Sequence, residues 1–235
     1  MTPLTYEQFM SLRENAELLE ADHHGEKVLN LTDGSFLKLF RRKRLLSSSL
    51  YRPYAVRFAR NADALKARYI PCPEIIDTYR INSIERTAVH YWPLPGETLR
   101  QCLPQQDSGT LSRTCRRLGA FIAQLHRQGV YFRSLHLGNI VLTDDSELGL
   151  IDIADMRCGA RALNRNQRKR NFQHLFRYTR DIAMLQPEAI QFAAGYCSDL
   201  PPAQKAYFNE YLARLLQASP TIAEGIAEQC ESEQR

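Results

Sequence analysis

Apolar positions recur with two different periods along this chain, and the first 92 residues mix both. Phe9, Leu12, Ala16 and Leu19 fall at helical spacing and predict a short amphipathic helix over Tyr6–Glu20. Lys27–Leu31 and Ser35–Phe40 read as strands, and Asp33-Gly34 between them is a strong hairpin signal. Ala55–Ala67 predicts a helix with Val56, Ala59 and Leu65 turned inward; Pro71-Cys72-Pro73 cannot continue it. Ile75–Ile81 and Thr87–Trp92 read as two more strands. The stretch Trp92-Pro93-Leu94-Pro95-Gly96-Glu97 is stiff and extended because proline locks φ, and it marks the expected boundary between two lobes.

Beyond that boundary the pattern turns helical. Leu111–Gln128 keeps Leu118, Phe121, Ile122 and Leu125 on one face and ends at Gly129, a favourable C-cap residue. Two loops follow, each beside an apolar strand. Phe132–Asn139 runs into Ile140–Leu142, and the strand Leu148–Ile151 runs into Asp152-Ile153-Ala154. Helices are predicted over Arg170–Leu185, Pro187–Tyr196 and Ala203–Gln217, punctuated by Pro187 and Pro201-Pro202, with a frayed tail at Glu231–Arg235. There are no internal repeats or low-complexity tracts. Strands with one helix, a proline hinge, then helices interrupted by one hairpin predict an α+β chain. A small β-rich lobe at 1–92 and a larger helical lobe at 93–235 would enclose a cleft.

Composition narrows the classes. A chain of 235 residues, 44% hydrophobic and 24% charged, can bury a sizeable core and is ordinary for a soluble protein. No apolar run approaches the roughly 20 residues that span a bilayer. MTPLTYEQFMSLREN carries acids and lacks an apolar stretch with a cleavage site, so no secretory signal and a cytosolic location are expected. Six scattered cysteines with no C-x-x-C pair point to reduced thiols. The net charge of +5 gathers in Arg41-Arg42-Lys43-Arg44 and in Arg161–Arg170. Such runs attract phosphates, nucleic acid or an anionic membrane face, or are solvated surface. No nucleic-acid module or aromatic stripe accompanies them, so nucleic acid is not an expected partner.

Candidate chemistry sits in the two loops. An amide and a carboxylate on neighbouring strands of one hairpin, Asn139 and Asp152, can converge on a divalent metal bound to phosphates. The alternative is structural, with Asn139 a turn residue and Asp152 a cap. The two loops resemble the H-R-D-x-x-x-x-N and D-F-G loops of protein-kinase-like phosphotransferases, with five positions from Ser134 to Asn139 and thirteen from Asn139 to Asp152. More narrowly, the chain is similar to the bacterial lipopolysaccharide core kinases that phosphorylate heptose or Kdo. A group labelled "toluene tolerance protein" resembles it most at Phe132–Asn139 and Asp152–Met156. The resemblance spans roughly Ala21–Arg180 and is weakest in the first lobe.

That resemblance implies a two-lobed protein-kinase-like fold and ATP with Mg²⁺. It also implies transfer to a hydroxyl of a small molecule or a lipopolysaccharide core sugar. The place implied is the cytoplasm or the inner face of the bacterial inner membrane, where a basic surface meets anionic lipid. Lys38 matches the lysine that pairs the α- and β-phosphates, unless its strand is an edge and it points to solvent. Asn139 and Asp152 match the metal ligands, and Arg133 matches the catalytic-loop arginine. The glutamate partner of the lysine aligns with Asn61. Either Asp63, the only acid in that segment, pairs with Lys38, or Asn61 supplies a neutral hydrogen bond. His23-His24-Gly25-Glu26 is the only candidate phosphate cover loop, with a single glycine. Asp155 suits a partner such as Arg157 or Arg133 better than a metal. Arg170, Arg177 and Arg180 stand where an acidic or phosphorylated acceptor would be met.

Two positions depart from the pattern: the family histidine is Phe132, and the catalytic aspartate is Ser134. A serine has no basic lone pair near neutral pH, and a general base contributes roughly 10²–10⁴-fold. His136 is the candidate substitute, since imidazole titrates near working pH. An active lipopolysaccharide-type kinase and a pseudokinase acting as regulator or scaffold are therefore both drawn from these residues. An aminoglycoside-type phosphotransferase shares the fold but normally has an acidic C-terminal lobe. It ranks last because Arg161–Arg180 is basic.

Overall fold

The computed structural model describes residues 1–41 and 53–217. They form two compact units, Met1–Pro95 with Leu150–Asp155, and Gly96–Gly149 with Met156 onward. Of the basic run at 41–44 only Arg41 falls within the described residues, and the predicted frayed tail lies outside them.

The first unit is built on β1 (Thr2–Pro3), α1 (Tyr6–Arg13), β2 (Glu17–Asp22), β3 (Gly25–Asn30), β4 (Phe36–Arg41), α2 (Tyr54–Lys66), β5 (Glu74–Ile81) and β6 (Arg86–Trp92). Its six strands lie in the order β1-β5-β6-β4-β3-β2. The Asp33-Gly34 turn forms as expected: Gly34 takes φ +87°, which glycine adopts without strain, and Asp33 Oδ1 accepts the Ser35 amide at 2.9 Å. β4 lies between β3 and β6, so strand alternation sorts its side chains onto two covered faces. Leu37 and Leu39 join Phe9 of α1, Leu29, Leu31, Ile81 and Ala88 in one buried cluster. Phe36, Lys38 and Phe40 face the other way. There Phe58 of α2 packs on Phe40 and Tyr91, with ring centroids 6.5 Å and 5.2 Å apart.

The helix expected over Tyr6–Glu20 stops at Arg13. Asn15 turns the chain at φ +60°, a conformation asparagine tolerates, and Glu17–Asp22 becomes β2. Glu17-Leu18-Leu19-Glu20 are good helix formers. Pairing with β3 across the His23-His24 turn, in a ladder irregular around Leu19, supplies backbone partners and overrides that local preference.

The second unit comprises β7 (Glu97–Thr98), α3 (Leu99–Cys102), α4 (Ser108–Arg127), β8 (Val130–Phe132), β9 (Ile140–Leu142), β10 (Leu148–Leu150), β11 (Met156–Cys158), α5 (Arg165–Leu175), α6 (Thr179–Leu185), α7 (Ala189–Cys197) and α8 (Pro202–Gln217). α4 and α7 approach closely at Gly119 and Gly195, where a β-carbon would strike the carbonyls of Phe192 and Arg116. The single helix expected over Arg170–Leu185 is two. α5 begins earlier, at a capping box between Asn164 and Gln167, and α6 follows a break at Phe176–Tyr178. The basic run Arg161–Arg170 is therefore not a uniform solvated surface. Arg168 is buried, and Arg165 and Lys169 lie over the rings of Tyr207 and Tyr211 on α8, at 4.6 Å and 5.5 Å. No helix among the described residues is long and apolar enough to cross a membrane.

Candidate functional site

In the first unit, Lys38 projects from the interior strand β4 toward the face that α2 covers. The solvent-facing edge-strand alternative does not hold. Its Nζ meets Oδ1 of Asp152 at 2.5 Å. Neither partner expected for Lys38 is used: Asp63 is exposed, and the Asn61 amide donates instead to the Ile153 carbonyl at 2.6 Å. One turn earlier on α2, Arg57 pairs with Asp155 at 3.1 Å. The Leu150 amide is tied to the Pro71 carbonyl at 2.9 Å. The segment 150–155 is thus pinned along its length, which holds Asp152 at φ +52°, a left-handed conformation that aspartate, like asparagine, adopts more readily than most residues. Burial, then the charges of Asp152 and Glu20, push the Tyr91 phenol above its ordinary range. Lys27, bonded to Glu20 at 2.8 Å, is raised chiefly by that hydrogen bond. The surface around Lys38 is therefore a mixed field of two ammonium groups and several carboxylates.

In the second unit the loop 132–139 is held from inside. Asn139 is buried and donates Nδ2 to the Ser134 carbonyl at 2.8 Å, while its amide donates to the His136 carbonyl at 2.9 Å. That orientation leaves Oδ1 of Asn139 as its acceptor. Asp152 is 45% exposed at its side chain and spends only Oδ1 on Lys38. Each is, within its own unit, a hard oxygen donor of the kind magnesium takes, so each residue fits the ion. The described residues hold no group of three or more His, Cys, Asp or Glu side chains placed to hold a metal ion. Each therefore suits an ion held through a single protein oxygen and completed by substrate phosphates. Ser134 is half-exposed and Arg133 exposed. The His136 ring packs edge-on against Tyr178, with centroids 5.3 Å apart. Arg177 and Arg180 lie near the same ring, each 5.7 Å from its centroid, while Arg170 is exposed on α5.

A family model described as the phosphotransferase enzyme family matches residues 16–133, just over half of the chain. The chain belongs to that family. A second model, the lipopolysaccharide kinase (Kdo/WaaP) family, matches residues 95–196 and so spans Ser134, Asn139 and Asp152. The lipopolysaccharide-kinase resemblance is borne out at that level; neither match names the "toluene tolerance" group. The expected α+β kinase-like fold, with a β-rich first sheet and a helical second part, is the fold of this chain. The first half, where the lipopolysaccharide-kinase resemblance is weakest, is the part that the phosphotransferase model covers best. A search of curated protein sequences found no match. Among solved structures, a similar chain is that of a divergent kinase lacking the glycine-rich loop, which regulates membrane ultrastructure of the Toxoplasma parasitophorous vacuole. It is 16% identical over 82% of this chain, with a TM-score of 0.38, and this chain spans only 65% of its length.

Two supports of the phosphotransferase loop escape sequence reasoning. Asp181, fully buried, receives Nε and Nη2 of Arg100 at 2.8 and 2.7 Å and the Leu137 amide at 3.2 Å. Its only local signal is an acid beside Arg180 in a basic stretch. Behind the loop runs a buried chain of donors. Arg168 Nη1 donates to the Tyr196 hydroxyl (3.2 Å), which lies 2.9 Å from Nδ1 of His126. His126 Nε2 lies 3.0 Å from Oδ1 of Asn171, whose Nδ2 donates to the Phe132 carbonyl at 2.6 Å. Because Asn171 presents its oxygen, His126 carries its proton on Nε2 and accepts from Tyr196 at Nδ1. Both imidazole nitrogens are satisfied only in the neutral ring. Burial, reinforced by Arg168, lowers the His126 pKa to about 3, and burial raises that of Tyr196 to about 12.

Proposed function

We propose that this chain binds ATP with Mg²⁺ and transfers phosphate to a hydroxyl of a lipopolysaccharide core sugar, heptose or Kdo, or a related small acceptor. The observation that carries this reading is the convergence of Lys38 and an externally pinned Asp152 on one face of the first sheet. Lys38 would pair the α- and β-phosphates. Asp152 and Asn139 would hold magnesium, which neutralises phosphate charge. Arg133 and His136 would meet the acceptor side. The exposed Arg170 and Arg180, with Arg177, suit an acidic or phosphorylated acceptor. A cytoplasmic location, peripheral to the inner membrane face, belongs to the same reading, and its acceptor is membrane-anchored.

Thermal unfolding with ATP, with and without Mg²⁺, tests it. A ligand at about 100 times its dissociation constant stabilises by about 2.7 kcal/mol. We expect a Mg²⁺-dependent rise that Lys38→Ala and Asp152→Ala each abolish; a rise retained in both variants rejects the assignment.

Ser134 favours a second reading, a pseudokinase that serves as regulator or scaffold. Ser134→Asp separates the two. In a weakened kinase the restored carboxylate raises phosphoryl transfer, within the roughly 10²–10⁴-fold range of a general base. No gain over a wild type that already binds Mg²⁺-ATP supports the scaffold.

A further inference from the structure

The face of the first sheet opposite Lys38 carries charge that the fold leaves uncompensated. β4 and β6 place Arg41 directly across from Arg86, on the side that holds Leu39 and Ala88. Like charges in such a cross-strand pair repel. Among the described residues neither guanidinium meets a carboxylate. Arg41 Nη1 lies 2.6 Å from Nε2 of His24, and Arg86 Nη2 lies 2.5 Å from the His24 carbonyl. Arginine only donates, so the imidazole accepts and is neutral there. Asp22, in the same turn, is bonded to the His24 amide at 2.7 Å and lies 3.8 Å from Lys27. Residues 34–62 contain eight Lys and Arg and no Asp or Glu, so the adjoining sequence offers no carboxylate. The chain's net +5 then leaves all its other residues net negative.

Beside this pair lies a cavity of about 530 Å³ beneath α1. Tyr6, Met10, Leu39 and Ile84 supply its apolar lining, and Arg86 and His24 line it as well, while Arg41 stands across the strands from Arg86. Arg13 and Glu26, also in the lining, neutralise each other in an ion pair. Tyr6 and Met10 are 53% and 39% exposed, unusual for large apolar groups on a short helix whose inner face is already filled by Phe9. Cations beside an exposed apolar lining match a molecule with an anionic head and an apolar body.

We propose that this cavity takes the phosphate head of an anionic amphiphile on Arg41 and Arg86. Its apolar part lies over Tyr6, Met10, Leu39 and Ile84, and this face of the unit thereby docks on anionic lipid. The site lies on the sheet face opposite Lys38 and stands or falls independently of the phosphotransfer reading.

Co-sedimentation with vesicles tests it, comparing equal parts phosphatidylglycerol and phosphatidylcholine with phosphatidylcholine alone. The full chain is expected on the anionic vesicles and not on the neutral ones. Replacing both Arg41→Ala and Arg86→Ala should weaken partition about 30-fold, the effect of two cations near an anionic surface. Met10→Asp changes an exposed position without touching the His24 turn and should weaken it too. Arg161→Ala with Arg165→Ala, in the other basic run, should leave it unchanged. Equal partition onto neutral vesicles, or wild-type partition in both cavity variants, overturns the proposal. Stabilisation by inorganic phosphate that needs Arg86, with vesicle partition unaffected by Met10→Asp, assigns a free oxyanion and overturns the lipid occupant.

Discussion

Asp181→Ala is expected to destabilise the folded chain by about 3–5 kcal/mol, the range for removing one partner of a buried ion pair. The carboxylate is fully buried and both its oxygens are used. Truncation strands the Arg100 guanidinium, whose side chain is only 19% exposed, and leaves the Leu137 amide without its acceptor. The damage lands on the loop that carries Ser134, His136 and Asn139, since Leu137 lies inside it. Arg100 also packs closely on Gly138 of the same loop, where an added β-carbon would meet its Nη1 at 2.6 Å. Asp181→Asn keeps shape and one acceptor and should cost less. Chemical denaturation of both variants against wild type reads the difference. An alanine variant within 1 kcal/mol of wild type, far below the roughly 3–5 expected, would show that Arg100 finds another partner.

Acidification should act through His126. Its pKa is about 3 in the folded chain and about 6.5 in an unfolded one. The folded state therefore binds fewer protons, and stability is fully present above pH 6.5 and declines as pH falls toward 3. The slope is about 1.4 kcal/mol per pH unit, so this group alone removes about 2 kcal/mol by pH 5. Protonation would also turn Nδ1 into a donor facing the Tyr196 hydroxyl and break the direction of the chain that ends at Phe132. NMR titration of the six histidines provides the check: one ring should stay neutral to below pH 4.5. If all six titrate near 6.5, the buried neutral ring is excluded.

The elements recovered from sequence are those whose cause is local. The β3–β4 hairpin follows from Asp33-Gly34, α4 from apolar spacing, and the order of strands and helices from prolines and glycines; α2 forms where expected but buries Ala55, Phe58, Ala62 and Leu65 rather than Val56 and Ala59. β2 was hidden because Glu17–Glu20 favours helix, and only a partner strand can outweigh that. The break in the second-unit helix and the burial of Arg168 were hidden for a similar reason. A basic run shows no local sign of which of its members a neighbouring helix will cover.

The sequence by itself determined a phosphotransferase-type chain. It showed the periodic elements, a lysine amid an apolar strand, and two polar loops at kinase-like separation with serine where the acid should be. Local spacing and residue chemistry suffice for that. Tertiary structure alone decided which groups meet. Lys38 finds Asp152 at a separation of 114 residues, Arg100 finds Asp181 at 81, and His126 joins Asn171 at 45 and Tyr196 at 70. Such pairs are selected by the desolvation that burial imposes, which forces each polar group to find a partner in space. That requirement has no counterpart in the local pattern of the chain.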